Sequence, residues 1–399
     1  MERRCMVLSA SMGAGHDAVA AELARRLEAA GHDVLVHDVL TLLPCGAGPA
    51  TRAFYRFTVR HAPWLYELIY AVFLAPGPDT GRGAESGTGA KPGRGPGRRR
   101  GLDVSPMAAL AERRLLALVD RWRPDVIVST FHLAGQITGR LRRRGRLRVP
   151  CAVFITDFAL HRGWLEPGND LFLCVTETAA GTAGAVTGRR AVAPGPVVPP
   201  AFHGASPSPG AFAGAPARAD EGRPPVLLSA GAWGVGDELL GTAGALAAHG
   251  FLPVLLCGRD ERLRRRAARL PGVLALGWVD DMPGLMAAAR VLVDNAAGQT
   301  SVQALAARLP VIGYRPIPGH GAVGVREMAA EGLTEYAYDL GDLLARAARL
   351  VRPGPGRDRR TELGAAVFRD DAARLVAELA EAGARLGSLS EPQAGQPGT

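Results

Sequence analysis

A chain of 399 residues with 47% hydrophobic and 21% charged side chains is too long for one ordinary core and suits two α/β domains of similar size. The formal net charge of +9 points to an anionic partner: nucleic acid, an anionic membrane, or a phosphate-bearing substrate. Cys5, Cys45, Cys151, Cys174 and Cys257 form no CxxC pair, which argues against a zinc site and for buried free thiols in a reducing cytosol.

In chain order, residues 5–10 read as a buried strand, 13–16 as a glycine turn, and 17–30 as a helix with Val19, Leu23 and Leu27 along one face. Gly31 ends that helix as a left-handed residue, and 34–39 form the next strand. This spacing implies a parallel sheet with right-handed crossovers. Residues 52–73 gather Phe54, Tyr55, Phe57, Trp64, Tyr66, Tyr70 and Phe73, with Arg52, Arg56, Arg60 and His61 between them. Basic and aromatic faces on a helix suit a membrane interface; an amphipathic helix with its aromatics in the core is the alternative. Residues 77–101 hold Gly, Pro, Arg, Ser and Thr and read as a disordered basic insertion containing Arg98, Arg99 and Arg100.

Alternation resumes with a helix at 106–122 and strands at 126–129 and 153–156. Between them, Arg140, Arg142, Arg143, Arg144, Arg146 and Arg148 form a second basic run, for which a solvated face is the alternative. A Pro/Ala/Gly-rich stretch at 194–225 reads as an interdomain linker. Strands then follow at 226–229, 254–257, 273–276, 291–294 and 311–314, with helices at 237–249, 282–289, 300–307 and 369–386. The expected organisation is an N-terminal acceptor and membrane-side domain at 1–200, a nucleotide-sugar domain at 220–355, and a helix and disordered tail at 356–399. Ligand is expected in the cleft between the halves, at the carboxyl ends of the strands. The opening carries no signal peptide pattern and no apolar run is long enough to span a bilayer, so any membrane contact is expected to be peripheral.

Three segments carry chemistry. Ser9-Ala10-Ser11-Met12-Gly13-Ala14-Gly15-His16 follows a strand. Its Gly13 and Gly15 let backbone amides approach a ligand, and the helix behind them favours negative charge. His16 stands at the cleft, where an imidazole can act as a base or donate to phosphate. Asp157 ends a strand, with His161 beyond it; a plain turn cap is the alternative for Asp157. Asn295 to Ser301, with Ala297, Gly298, Gln299 and Thr300, opens a helix with small residues and free amides, which suits a diphosphate; a simple cap by Thr300 or Ser301 is the alternative.

The first of these segments resembles the opening of the diacylglycerol glycosyltransferases: plant monogalactosyldiacylglycerol synthase, bacterial processive diacylglycerol glucosyltransferases and, more distantly, the lipid-linked peptidoglycan N-acetylglucosaminyltransferase. Phe154-Ile155-Thr156-Asp157 with His161, Trp164 and Pro167-Gly168 is similar to the family's next segment. Gly231-Ala232-Trp233-Gly234 stands at its glycine loop and Cys257-Gly258-Arg259-Asp260 at its "CGRN". Gly277 to Met282, including Val279, stands at its base-wrapping segment, and Leu305 to Ile312 with Pro318-Gly319 at its last motif.

The resemblance implies a GT-B fold of two Rossmann-like domains and an inverting transfer of a hexosyl group from a UDP-sugar to a lipid such as diacylglycerol, without cofactor or metal. It implies His16 and Asp157 as the catalytic pair, Ser11, Gly13, Gly15 and His161 around the acceptor and phosphate, and Gln303 at the ribose. Gly319 and His320 would face the donor sugar. Arg52, Arg56, Trp64 and Arg98 to Arg100 would meet an anionic membrane on the cytoplasmic side. Three positions depart from the family's "PGQExxN": His320, Gly321 and Gly324 replace its Gln, Glu and Asn, and Gln303 replaces a Glu. These departures keep two alternatives open: a GT-B transferase acting on a small molecule, and a nucleotide-binding homologue that has lost catalysis. A nucleic-acid partner is not expected, since no binding module for one is visible.

Overall fold

The computed structural model describes residues 2–74, 106–214, 222–236 and 238–389. The basic insertion, with Arg98 to Arg100, lies outside the described residues. The first half forms a six-stranded parallel sheet from β1 (Arg4–Ser9), β2 (Asp33–Asp38), β3 (Val126–Ser129), β4 (Cys151–Phe154), β5 (Leu171–Leu173) and β6 (Arg190–Val192), ordered β2-β1-β3-β4-β5-β6. Val7 sits opposite Val36 on one side and Val128 on the other. Gly31 takes φ +84° after the helix Ala14–Ala29, a conformation that costs a residue with a Cβ.

The second half repeats the design with β7 (Pro225–Ser229), β8 (Leu252–Leu256), β9 (Leu274–Leu276), β10 (Val291–Asp294), β11 (Val311–Tyr314) and β12 (Glu335–Ala337), ordered β12-β11-β10-β7-β8-β9. The central strands are almost fully buried because helices cover both faces, so they read as continuous apolar runs. The final helix, Ala372–Leu389, returns to the first half, where Val376 and Ala380 join the core of Val7, Leu23 and Val128. The two chain crossings run side by side, with the amides of Arg369 and Asp370 donating to the Pro194 carbonyl at 2.9 and 3.0 Å.

Two segments depart from expectation. The arginine run is not a solvated face: Arg140, Arg144 and Arg146 converge on the buried Glu112 at 2.7, 3.1 and 2.9 Å. The stretch read as linker does cross between the domains, but it is packed rather than loose: Val197 is buried in the first core, and Val198 and Phe202 in the second. Among the described residues, no helix is long and apolar enough to cross a membrane.

Candidate active site

Each sheet reverses its winding once, and loops at such a switch point part to leave a crevice. In the first sheet the reversal lies between β1 and β3; in the second it lies between β7 and β10. The loops after β1, β7 and β10 contain the segments Ser9 to His16, Gly231 to Gly234 and Asn295 to Ser301, and the Asp157 segment follows β4, the neighbour of β3. They meet across the cleft: a Cβ added to Gly15 would lie 3.6 Å from Cβ of Gln299.

His16 spans the first switch point. Its Nδ1 lies 3.0 Å from the Thr130 carbonyl oxygen and 3.1 Å from Thr156 Oγ1. A carbonyl only accepts, so the proton sits on Nδ1 and the Nε2 lone pair is left free. The Thr156 hydroxyl donates in turn to Asp157 Oδ1 at 3.2 Å, and Trp164 Nε1 donates to Oδ2 at 3.1 Å. Burial pushes the Asp157 carboxyl up, but His16, His161, His320 and the Trp164 N–H together hold it below its ordinary value. It is therefore ionised at neutral pH, one hydroxyl away from His16.

His161 is buried, its Nε2 3.8 Å from Asp157 Oδ2, and burial pushes it down to about 4. His132 packs edge-on against it at 5.2 Å and is held well below its ordinary value by burial. At neutral pH both rings are uncharged, so His161 meets Asp157 as a neutral imidazole. Their Nδ1 atoms, and the Tyr70 hydroxyl, are buried without a hydrogen-bond partner. Among the described residues, no group of three or more His, Cys, Asp or Glu side chains is arranged to hold a metal ion.

The opposite wall is made of backbone. Gly231 and Gly234 take φ +63° and +65°, and Asn295 Nδ2 donates to the Val235 carbonyl at 3.0 Å, tying the loop after β7 to the loop after β10. The helices starting at Ala14, Gln299 and His320 have Gly13, Gly298 and Gly319 before them and no side chain capping any of the three. Apart from the Ala322 amide, which donates to the Ile317 carbonyl at 2.8 Å, their first amides are thus left to a ligand or solvent, and the dipoles favour an anion. Ala297, with φ +51°, sits in the left-handed region just before one of them.

Placement of the remaining residues is mixed. The Ser11 hydroxyl is turned away to Asp38 Oδ2 at 2.7 Å, so it serves the fold. Ser301 is not the cap of its helix; its hydroxyl donates to Asp294 Oδ2 at 2.8 Å. Gln299 Nε2 donates to the Val197 carbonyl at 3.1 Å and ties the site to the interdomain crossing, while Thr300 and Gln303 are half-buried on the same helix. Ala232 and Trp233 lie in the glycine loop, and Val279 and Met282 pack on the second core. Beside Val279, the Arg259 guanidinium stacks on the exposed Trp278 at 4.5 Å.

The helix Ala47–His61 and the short helix Pro63–Ile69 carry Arg52, Arg56 and Trp64. Trp64 is 67% exposed and shares its outward side with Phe54, Phe57 and Leu68. The tyrosines of that stretch face the other way, with Tyr66 and Tyr70 buried toward the cleft. The exposed Arg52 is paired with Asp38 at 3.1 Å. Thr130 and His132 were not singled out from the sequence, and Thr156 and Tyr66 were named there without these roles. The threonines did carry a signal, since each follows the end of a central strand.

Two doubly wound domains facing a cleft define the GT-B glycosyltransferase fold. MurG of Acinetobacter baumannii shares it with a TM-score of 0.56 at 14% identity, over 96% of this chain and 100% of that one. CalG4, the calicheamicin glycosyltransferase, gives 0.58 at 15% identity, over 98% and 100%. Within this fold, residues 98–194 match the family described as monogalactosyldiacylglycerol (MGDG) synthase. That match holds Asp157, His161 and Trp164. The chain is also 24% identical over 230 residues to a processive diacylglycerol β-glucosyltransferase of Staphylococcus carnosus, and over 234 residues to one of Staphylococcus epidermidis. Each match covers 56% of this chain and 58% of the relative's length. The resemblance read from the motifs is met by these matches.

Proposed function

We propose that the chain is an inverting glycosyltransferase that moves a hexosyl group from a UDP-sugar to a lipid acceptor such as diacylglycerol at a membrane surface. The observation that carries this reading is the free Nε2 of His16, opposite helix starts that no side chain caps. The acceptor hydroxyl attacks the anomeric carbon as His16 Nε2 takes its proton. The bond to the diphosphate breaks, and the leaving UDP carries its electron pair onto oxygens that the free amides stabilise. The imidazolium so formed is offset by Asp157 through Thr156. The diacylglycerol in the names of the curated relatives supports the lipid acceptor. The exposed side of Phe54, Phe57, Trp64 and Leu68, beside the exposed Arg56, supports docking on an anionic membrane.

A donor screen of UDP- and dTDP-sugars with mixed lipid and soluble acceptors, read by mass spectrometry, tests this. A glycolipid from a UDP-sugar with inverted configuration is expected. A product only on soluble acceptors would replace the lipid part.

One observation favours a second reading, a nucleotide-binding homologue without turnover. At Gly324 an added Cβ would lie 3.1 Å from Cβ of Ala297, and at Gly321 3.2 Å from Cβ of Ile317. Both positions are tight even for a Cβ, and neither carries the polar side chain that the resembling family has there. UDP binding without any transfer would establish this reading instead.

A further inference from the structure

We propose that Tyr66 is a positioning residue of this transfer: carried across the cleft on the helices Ala47–His61 and Pro63–Ile69, it holds His320 and Gly319 so that the two walls of the cleft close as one unit. The proposal rests on the nucleotide-sugar reading above.

These helices follow β2 in the chain and lie outside both sheets, yet they grip three loops of the second domain. Tyr66 is buried, and its hydroxyl lies 2.7 Å from His320 Nδ1, with the two rings edge to face at 5.6 Å. Arg60 forms an ion pair with Asp260. Asp260 also accepts from the amides of Arg262 and Leu263 at 3.0 Å, capping the helix Glu261–Ala267. Tyr55 meets Trp233 of the glycine loop at 6.0 Å and stacks edge-on against Tyr66 at 5.5 Å.

The receiving loop is shaped for this contact. Gly319 has φ +77°, and an added Cβ would stand 2.9 Å from Cε1 of Tyr66 and 3.3 Å from Cβ of Tyr70. Only glycine permits both that backbone conformation and that approach. Gly319 also immediately precedes the uncapped helix His320–Ala330, so the Tyr66 contact fixes the first amides of a helix that faces the cleft. Burial raises the Tyr66 phenol and lowers the His320 imidazole, so the pair is a neutral hydrogen bond at working pH.

Tyr66→Phe in the full chain removes the hydroxyl and keeps the ring. The dissociation constant for UDP, read by calorimetry, is expected to rise about 3- to 10-fold. The donor KM should rise similarly, while kcat at saturating donor changes less than about twofold. His320→Phe should weaken UDP comparably, and the double variant no more than the worse single one, because both remove the same contact. An unchanged dissociation constant in Tyr66→Phe, or additive losses in the double variant, overturns the proposal. Should the natural chain bind no UDP, the nucleotide reading fails by itself, and hydrogen exchange at amides 320–323 then decides. Faster exchange in Tyr66→Phe supports the positioning role, and equal exchange overturns it.

Discussion

On the N-terminal side of the cleft, His16, Thr156, Asp157 and Trp164 meet through side-chain hydrogen bonds. On the C-terminal side, Gly231, Gly234, Gly298 and Gly319 leave backbone amides and helix ends to do the work. Proton transfer needs a group whose protonation state changes near neutral pH, and only side chains supply one. Holding a diphosphate needs many donors in a fixed concave array, which backbone supplies at no cost in rotamer entropy. The two walls should therefore fail in opposite ways: the first when a side chain is removed, the second when one is added.

The largest expected effect is on the first wall. His16→Ala should lower turnover by roughly 100-fold or more, with the UDP dissociation constant changed by less than about twofold. Mass-spectrometric rates and calorimetry on one preparation check this, and near-normal turnover would reduce His16 to a structural residue.

Acid should act on the same wall. The His161 ring is pushed from 6.5 to about 4 by burial. The unfolded chain then binds more protons between these values. The stabilisation is fully present above about pH 6.5 and is lost as pH falls towards 4, by about 3 kcal/mol in all. Urea midpoints at pH 7, 5.5 and 4.5 would show the decline, and His161→Gln should flatten part of it. The buried His132 and His320 rings titrate in the same direction and keep the remainder.

The second wall is probed by Gly234→Ala. The residue has φ +65°, and its new Cβ would lie 2.5 Å from Cβ of Asp260. A cost of about 1–3 kcal/mol is expected, seen as weaker UDP binding with no change in the state of His16. If UDP binding survives intact in a folded variant, the glycine loop is not part of the nucleotide site.

The smallest effect concerns the outer surface, which belongs to neither wall. Trp64→Ser should reduce sedimentation with anionic vesicles by about 3- to 10-fold, in line with partial loss of one buried aromatic. Arg56→Ser should matter comparably at low salt, by about 1 kcal/mol, and its contribution should fade with added salt. Equal sedimentation with neutral and anionic vesicles at every salt concentration would remove the electrostatic part of the docking.

What the sequence determined by itself was local. Hydrophobic periodicity located the central strands and the helices that follow β1, β7 and β10, because a buried strand or an amphipathic turn writes its period into a few neighbouring residues, while the helices His132–Arg143, Glu261–Ala267 and His320–Ala330 were missed. Glycines after strand ends located the loops of the cleft, and a histidine beginning a helix there stood out. The three-residue strands Leu171–Leu173, Arg190–Val192 and Glu335–Ala337 went unseen, whereas Leu274–Leu276, of the same length, was found.

Only the tertiary structure decided which partners these residues have. The Thr130 carbonyl that sets the proton of His16 lies 114 positions away, and His320 lies 254 positions from Tyr66. The arginine run met a buried carboxylate rather than solvent, and the aromatic stretch divided into an outer side and a cleft side. Periodicity tells a side chain which way to face along its own element. What it meets there depends on how elements far apart in the chain pack, and composition alone does not encode that.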